Sequence, residues 1–263
     1  MPELGRSVWL RVRHGVETLS GAGRAVWSEP AQVRKTLGEI LGVLPATHVQ
    51  IDLEAFLEGD EPRQWAPLLR REDPWAALLS EHALAIGSAL RAPTVWGLGL
   101  PGVATVAAAT GDVSDRGLIK AGMLLASALQ AFRSATVAFV TIPVAAGDAG
   151  AGERARGPVL RNSELYGWHR AACVADLAAS SPQVAGTDVT LVEHATVAEL
   201  LPRWARGDAI GGGLGASVWS GERLEGAAPP RFLLFGEIPP GTPARALVET
   251  GRMLREWVSP AAA

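Results

Sequence analysis

The chain has 263 residues, of which 48% are hydrophobic and 19% charged, and its formal net charge is −3. This composition excludes a disordered chain, which needs low hydropathy and high charge, and with no basic excess it offers no footing for nucleic acid or an anionic membrane surface. A single cysteine, Cys173, excludes an internal disulfide and a zinc site built from several thiolates.

No run reaches the roughly 18 uncharged apolar residues that a bilayer span requires. The opening MPELGRSVWLRVRHG lacks the apolar core of a signal peptide, so a cytoplasmic setting is expected. Residues 7 to 16 alternate apolar and polar side chains, the period of a strand. Pro30 to Leu44 carries Val33, Leu37, Ile40 and Leu41 at helical spacing after Ser28-Glu29. His48 to Phe56 reads as a second strand that ends on Asp52 and Glu54, two carboxylates on one strand face.

A charged, proline-bearing loop is expected over 60–73, then a helix over Pro74 to Leu90. Thr94 to Leu100 is a third strand, turned sharply by Gly99-Leu100-Pro101-Gly102. The long helical pattern from Ser114 to Ser134 follows, and then a strand over Thr136 to Val144. Residues 145–160 have no periodicity and read as a mobile loop over the mouth of a site. Beyond it the pattern gives a helix over Asn162 to Ala179, a strand over Asp188 to Ala195, a helix over Thr196 to Arg206 and a short strand over Ala209 to Gly213. A strand over Arg231 to Ile238 and a helix over Thr242 to Val258 close the chain.

Apolar strands that alternate with helices argue for a parallel sheet covered by helices. The strands number about seven, one fewer than a (β/α)8 barrel, and ASVW near residue 218 is a candidate for the eighth. A doubly wound open sheet would want a glycine-rich phosphate turn after the first strand, and GxGxxG is absent there. The expectation is a single (β/α)8 domain over residues 1–263.

From Thr94 to Pro143, the order of strand, GLGLPG turn, helix, long helix and strand resembles part of the uroporphyrinogen decarboxylase and cobalamin-independent methionine synthase superfamily, where a GPxT-like turn follows a barrel strand. The tail FLLFGEIPPGTPARALVETGRMLREW resembles that superfamily's last strand, loop and closing helix, and the resemblance covers about residues 75–258. It implies a barrel enzyme. The methionine synthases use zinc held by His, Glu and two Cys to activate a thiol, a ligand set this chain lacks the cysteines to supply. The decarboxylases grip a porphyrinogen with paired N-terminal arginines, and the N-terminus here does not match that segment, although Arg11, Arg13 and His14 are present. The chain is shorter than typical members, which suggests a trimmed relative or one that works with a partner subunit.

A barrel's site lies at the C-terminal ends of its strands, and this selects the candidates. Asp52, Glu237 and His194 are expected to be catalytic. Two nearby carboxylates tend to divide into acid and base, Glu237 is held by the prolines of GEIPPG, and histidine transfers protons near neutrality. His14, Glu54, Trp96, Gly99, Thr141, Glu193 and Trp219 are expected to line the substrate site, while His48 and His82 read as packing or surface residues.

No metal and no cofactor is expected. The favoured chemistry is substitution at carbon by an amine nucleophile, either alkyl transfer or ring closure, since an amine needs only a carboxylate or histidine to take its proton. A decarboxylase acting on a carboxylated small molecule and a non-catalytic barrel that binds a partner protein are the alternatives. The expected partners are a small amine- or carboxylate-bearing metabolite and a second subunit, with neither nucleic acid nor membrane.

Overall fold

Strands buried on both faces must be covered on both, and here they close on themselves. In the computed structural model β1 (Arg6–Arg11), β2 (His48–Asp52), β3 (Val95–Gly99), β4 (Val137–Pro143), β5 (His169–Val174), β6 (Val189–Val192), β7 (Ile210–Gly213) and β8 (Phe232–Glu237) pair in chain order, all parallel. β8 pairs with β1 in the register Arg6↔Phe232 to Arg11↔Glu237, which completes the expected (β/α)8 barrel. The structure describes residues 5–56, 81–82, 85–87, 89–90, 92, 94–133, 136–145, 150–177 and 184–259. The loop expected over 60–73 and most of the helix expected over 74–90 lie outside them.

Strand alternation sorts the side chains into two layers. Trp9, Phe139, Ala171, Leu191, Leu233 and Phe235 fill the bore. Their neighbours Leu10, Val49, Leu98, Val140 and Leu234 face outward into a second core under the helices. Those helices are α1 (Arg13–Leu19), α2 (Pro30–Val43), α3 (Val103–Ala109), α4 (Asp115–Leu129), α5 (Ala151–Leu165), α6 (Val197–Ala205), the single turn α7 (Ala216–Trp219) and α8 (Ala244–Val258). Ser114 caps α4 by accepting from the Gly117 amide, and Thr196 and Glu199 form a capping box on α6. Among the described residues no helix is long and apolar enough to cross a membrane.

Four expectations change. The first strand stops at Arg11, and Arg13 opens a helix that carries His14. β2 stops at Asp52 and Leu53–Phe56 is a 3-10 turn, so Glu54 leaves the strand face it was expected to share with Asp52. Much of the loop expected over 145–160 is α5, whose Ala155, Val159 and Ser163 are buried at spacings of four along one face. The eighth strand is β5, inside the stretch expected to continue as helix to Ala179, whereas ASVW forms α7.

α4 and α5 pack at backbone distance. A Cβ placed on Gly122 would lie 1.8 Å from the Ala155 carbonyl oxygen, so only glycine fits. Gly122→Ala is expected to destabilise the fold by about 1–3 kcal/mol. Gly157→Ala, at a helical position with open space around it, is expected to stabilise it by roughly 0.5–1 kcal/mol. Urea denaturation of the two variants measures both signs.

At the N-terminal end of the bore His48 stacks on Trp9, with ring centroids 5.1 Å apart and planes 15° off parallel. Burial, assisted by the proximity of His169, lowers its pKa to about 4. Between about pH 4 and the ordinary histidine value the unfolded chain binds the proton that the folded one refuses, so stability rises with pH across that window. His48→Phe is expected to flatten this part of the stability profile, as read by chemical denaturation at half-unit pH steps.

Candidate active site

Three strand ends deliver carboxylates to one cation. Arg11, the last residue of β1, lies across the mouth of the bore. Its Nη1 donates to Glu193 Oε1 at 2.8 Å and lies 3.4 Å from Glu237 Oε2, and its Nη2 donates to Asp52 Oδ2 at 3.3 Å. Burial works against the guanidinium's charge, but the carboxylates of Asp52, Glu237 and Glu193 outweigh it and raise the pKa. Gln50 Nε2 holds the other oxygen of Asp52 at 2.9 Å. A Cβ on Gly99 would strike that oxygen at 2.1 Å and Gln50 Nε2 at 2.4 Å, so the glycine makes room for the buried pair. The Cys173 thiol points at Glu193 Oε1, 3.4 Å away, and burial with Glu193 alongside pushes its pKa well up, so it stays a neutral thiol.

A second chain of contacts runs outward from Glu237. His14 Nε2 lies 3.3 Å from Glu237 Oε1, and its Nδ1 lies 3.0 Å from Glu17 Oε2. Glu17 also accepts from Arg13 Nε at 3.2 Å and from Trp27 Nε1 at 3.0 Å. Burial alone would raise the Glu17 carboxyl, but the bonds from His14, Arg13 and Trp27 bring it below its ordinary value. The contact with Glu17 orients the His14 ring so that Nε2 points toward Glu237. Glu237 itself is raised, by burial first, with Arg11 and His14 lowering it and Asp52 and Glu193 raising it. Glu54, bonded to Arg13 Nη1 at 3.3 Å, is raised by burial and by Asp52.

Counted together, five carboxylates (Glu17, Asp52, Glu54, Glu193, Glu237) face two guanidiniums (Arg11, Arg13), a surplus of three negative charges while the histidines are neutral. Arg11 and Glu193 divide the mouth into two lobes. The larger, about 540 Å³, has Arg11, Asp52, Glu54, Cys173 and Glu193 at its polar end. The smaller, about 280 Å³, holds Arg11, His14, Glu193, His194 and Glu237. Among the described residues no group of three or more His, Cys, Asp and Glu side chains is placed to hold a metal ion.

Comparison with models of protein families and with curated proteins gives no match.

The structure brings Asp52, Glu237, His14, Glu54 and Glu193 together at the mouth, with His194 exposed on the rim of the smaller lobe. Asp52 sits deepest, its side chain 8% exposed and engaged on both oxygens, whereas Glu237 is 32% exposed. Asp52 therefore anchors Arg11, and Glu237, like the 36% exposed Glu193, is a carboxylate a ligand can reach. Gly99 lies against Asp52, whereas the two tryptophans lie elsewhere and Thr141 sits deeper in the bore. Trp96 alternates with Gly97 and Gly99 on β3 and so packs outward under the helices, and Trp219 is buried in the same layer. Thr141 faces the bore at the register of Gly99, 1% exposed.

Sequence reasoning missed Arg11, Arg13 and Glu17 as site residues. With a helix beginning at Arg13, spacings of three and four would have placed Arg13, His14 and Glu17 on one face.

Because Glu54 is raised, its ionised form costs the folded state stability above the ordinary carboxylate range, and the cost disappears once the group is protonated in both states. Glu54→Gln is expected to raise the melting temperature by a few degrees at pH 7.5 and to leave it nearly unchanged at pH 4. Differential scanning calorimetry at the two pH values reads the difference.

Proposed function

We propose that this barrel is an enzyme that binds a small cationic amine at the mouth and makes the amine nitrogen the nucleophile of a substitution at carbon, either an alkyl transfer or a ring closure. The observation that carries the reading is the Glu237–His14–Glu17 chain, which sets a raised, reachable carboxylate against a histidine oriented by a second carboxylate. Glu237 takes a proton from the ammonium and passes it to His14 Nε2. The freed nitrogen forms its bond to carbon as the leaving group departs with the bonding pair, and His194 on the rim protonates that group. Arg11 and Asp52 hold the carboxylates in place.

The surplus of negative charge supports a cationic substrate. Arg11 supports it too. With three carboxylates already on its guanidinium, it has little to offer the anionic substrate that a decarboxylase would need. The barrel, with the GLGLPG turn at the rim of β3, supports reading the chain as a short relative of the uroporphyrinogen decarboxylase and methionine synthase superfamily, working in the cytoplasm as a homodimer or with a partner subunit.

The test is calorimetric titration at pH 7.5 with primary amines and with their N-acetyl counterparts. The free amines are expected to bind and the acetylated ones to fail, and Glu237→Gln is expected to weaken amine binding by about tenfold or more. For an amine that is turned over, mass spectrometry should show a gained alkyl group or a lost leaving group. Preferential binding of carboxylates with release of carbon dioxide would overturn the proposal.

A further inference from the structure

We infer that the ligand is an amphipathic amine, whose ammonium group sits at the Arg11–Glu193 partition and whose apolar chain or ring fills the larger lobe. The inference rests on the amine reading above and adds the other half of the molecule.

The two lobes differ in size, and each joins charged groups to apolar walls. In the smaller one, charged and imidazole groups share the lining with Leu214, Phe235, Pro239 and Pro240, and about 280 Å³ leaves little room beyond the ammonium and its acceptor. In the larger one the polar groups gather at the strand ends, and the walls are Leu100, Pro101 and Val103 from the turn into α3, Leu118 from α4, and Val144 after β4. Thr105 is the one polar side chain among the wall residues from α3. A volume of about 540 Å³ lies within the ordinary range for small-molecule sites and far exceeds what an ammonium group needs.

A small hydrophilic amine would leave these walls wetted, at a cost proportional to their apolar area. An amine with a hydrocarbon body displaces that water while its nitrogen stays among the carboxylates. Glu193 faces both lobes, so an ammonium group bound there can direct its substituent into the larger lobe without leaving reach of the proton acceptor in the smaller.

The experiment is calorimetric titration of the whole chain at pH 7.5 with ethylamine, butylamine, hexylamine and octylamine. Affinity is expected to rise by about fourfold for each added methylene until the lobe is full. Ala104→Trp, at an exposed position on the lobe wall, is expected to abolish that increase and to leave the ethylamine affinity within about twofold. Leu118→Asn, tested in parallel, should weaken hexylamine and spare ethylamine. If ethylamine binds and the longer amines bind no more tightly, or if Ala104→Trp and Leu118→Asn both keep the chain-length increase, this inference falls and the amine reading stands. If no amine binds the wild-type chain, the amine reading falls and takes this inference with it.

Discussion

A guanidinium placed in the bore of a barrel loses most of its water, and the surroundings must supply what water gave. Around Arg11 they do so with three carboxylates from three other strands. Much of the local sequence answers to that demand. Asp52 needs Gln50 for its second oxygen, and the pair needs Gly99 for space. Glu193 shares one oxygen between Arg11 and the Cys173 thiol. Without the cation, Asp52, Glu193 and Glu237 would face one another across a half-dry cavity, an arrangement that only protonation or unfolding relieves.

The same ion cluster gives the mouth its shape. By spanning the bore, the Arg11–Glu193 pair separates a smaller recess from a larger one, and it leaves Glu237 as the carboxylate least tightly bound to the guanidinium. Structural rigidity and chemical availability are thus divided among the acids. The deeper Asp52 fixes the cation, and the more exposed Glu237 has capacity left for a proton.

Barrel architecture was legible because a parallel barrel announces itself through its outer core. Leu10, Val49, Leu98, Val140, Val192 and Leu234 are strand residues that face helices, and their alternation with helical stretches needs no knowledge of the bore. β5 was hidden by its composition. His-Arg-Ala-Ala-Cys-Val has few β-branched residues, and pairing to β4 and β6 makes it a strand where local propensity does not. Asp52, Glu54, Glu193, Glu237 and His14 were visible as residues placed at or after strand ends. Arg11 was not, because a charged residue on a strand reads as an outward-facing one, and its inward direction follows only from register with Gln50 and Glu237. Trp96 misled for the converse reason, since a large aromatic near a strand end looks like a pocket wall until alternation sends it under the helices.

Arg11 and Glu237 are register partners on the first and last strands, which meet only where the barrel seals. The charge cluster and the closing seam are therefore one place. Loop-closure entropy makes contacts between opposite ends of a chain costly to form early, so a partly folded chain that has assembled β2 to β7 has neither a complete charge cluster nor the Glu237 carboxylate beside His14. The cluster is completed by the last act of topology, and a chain that fails to seal lacks the contact between Arg11 and Glu237.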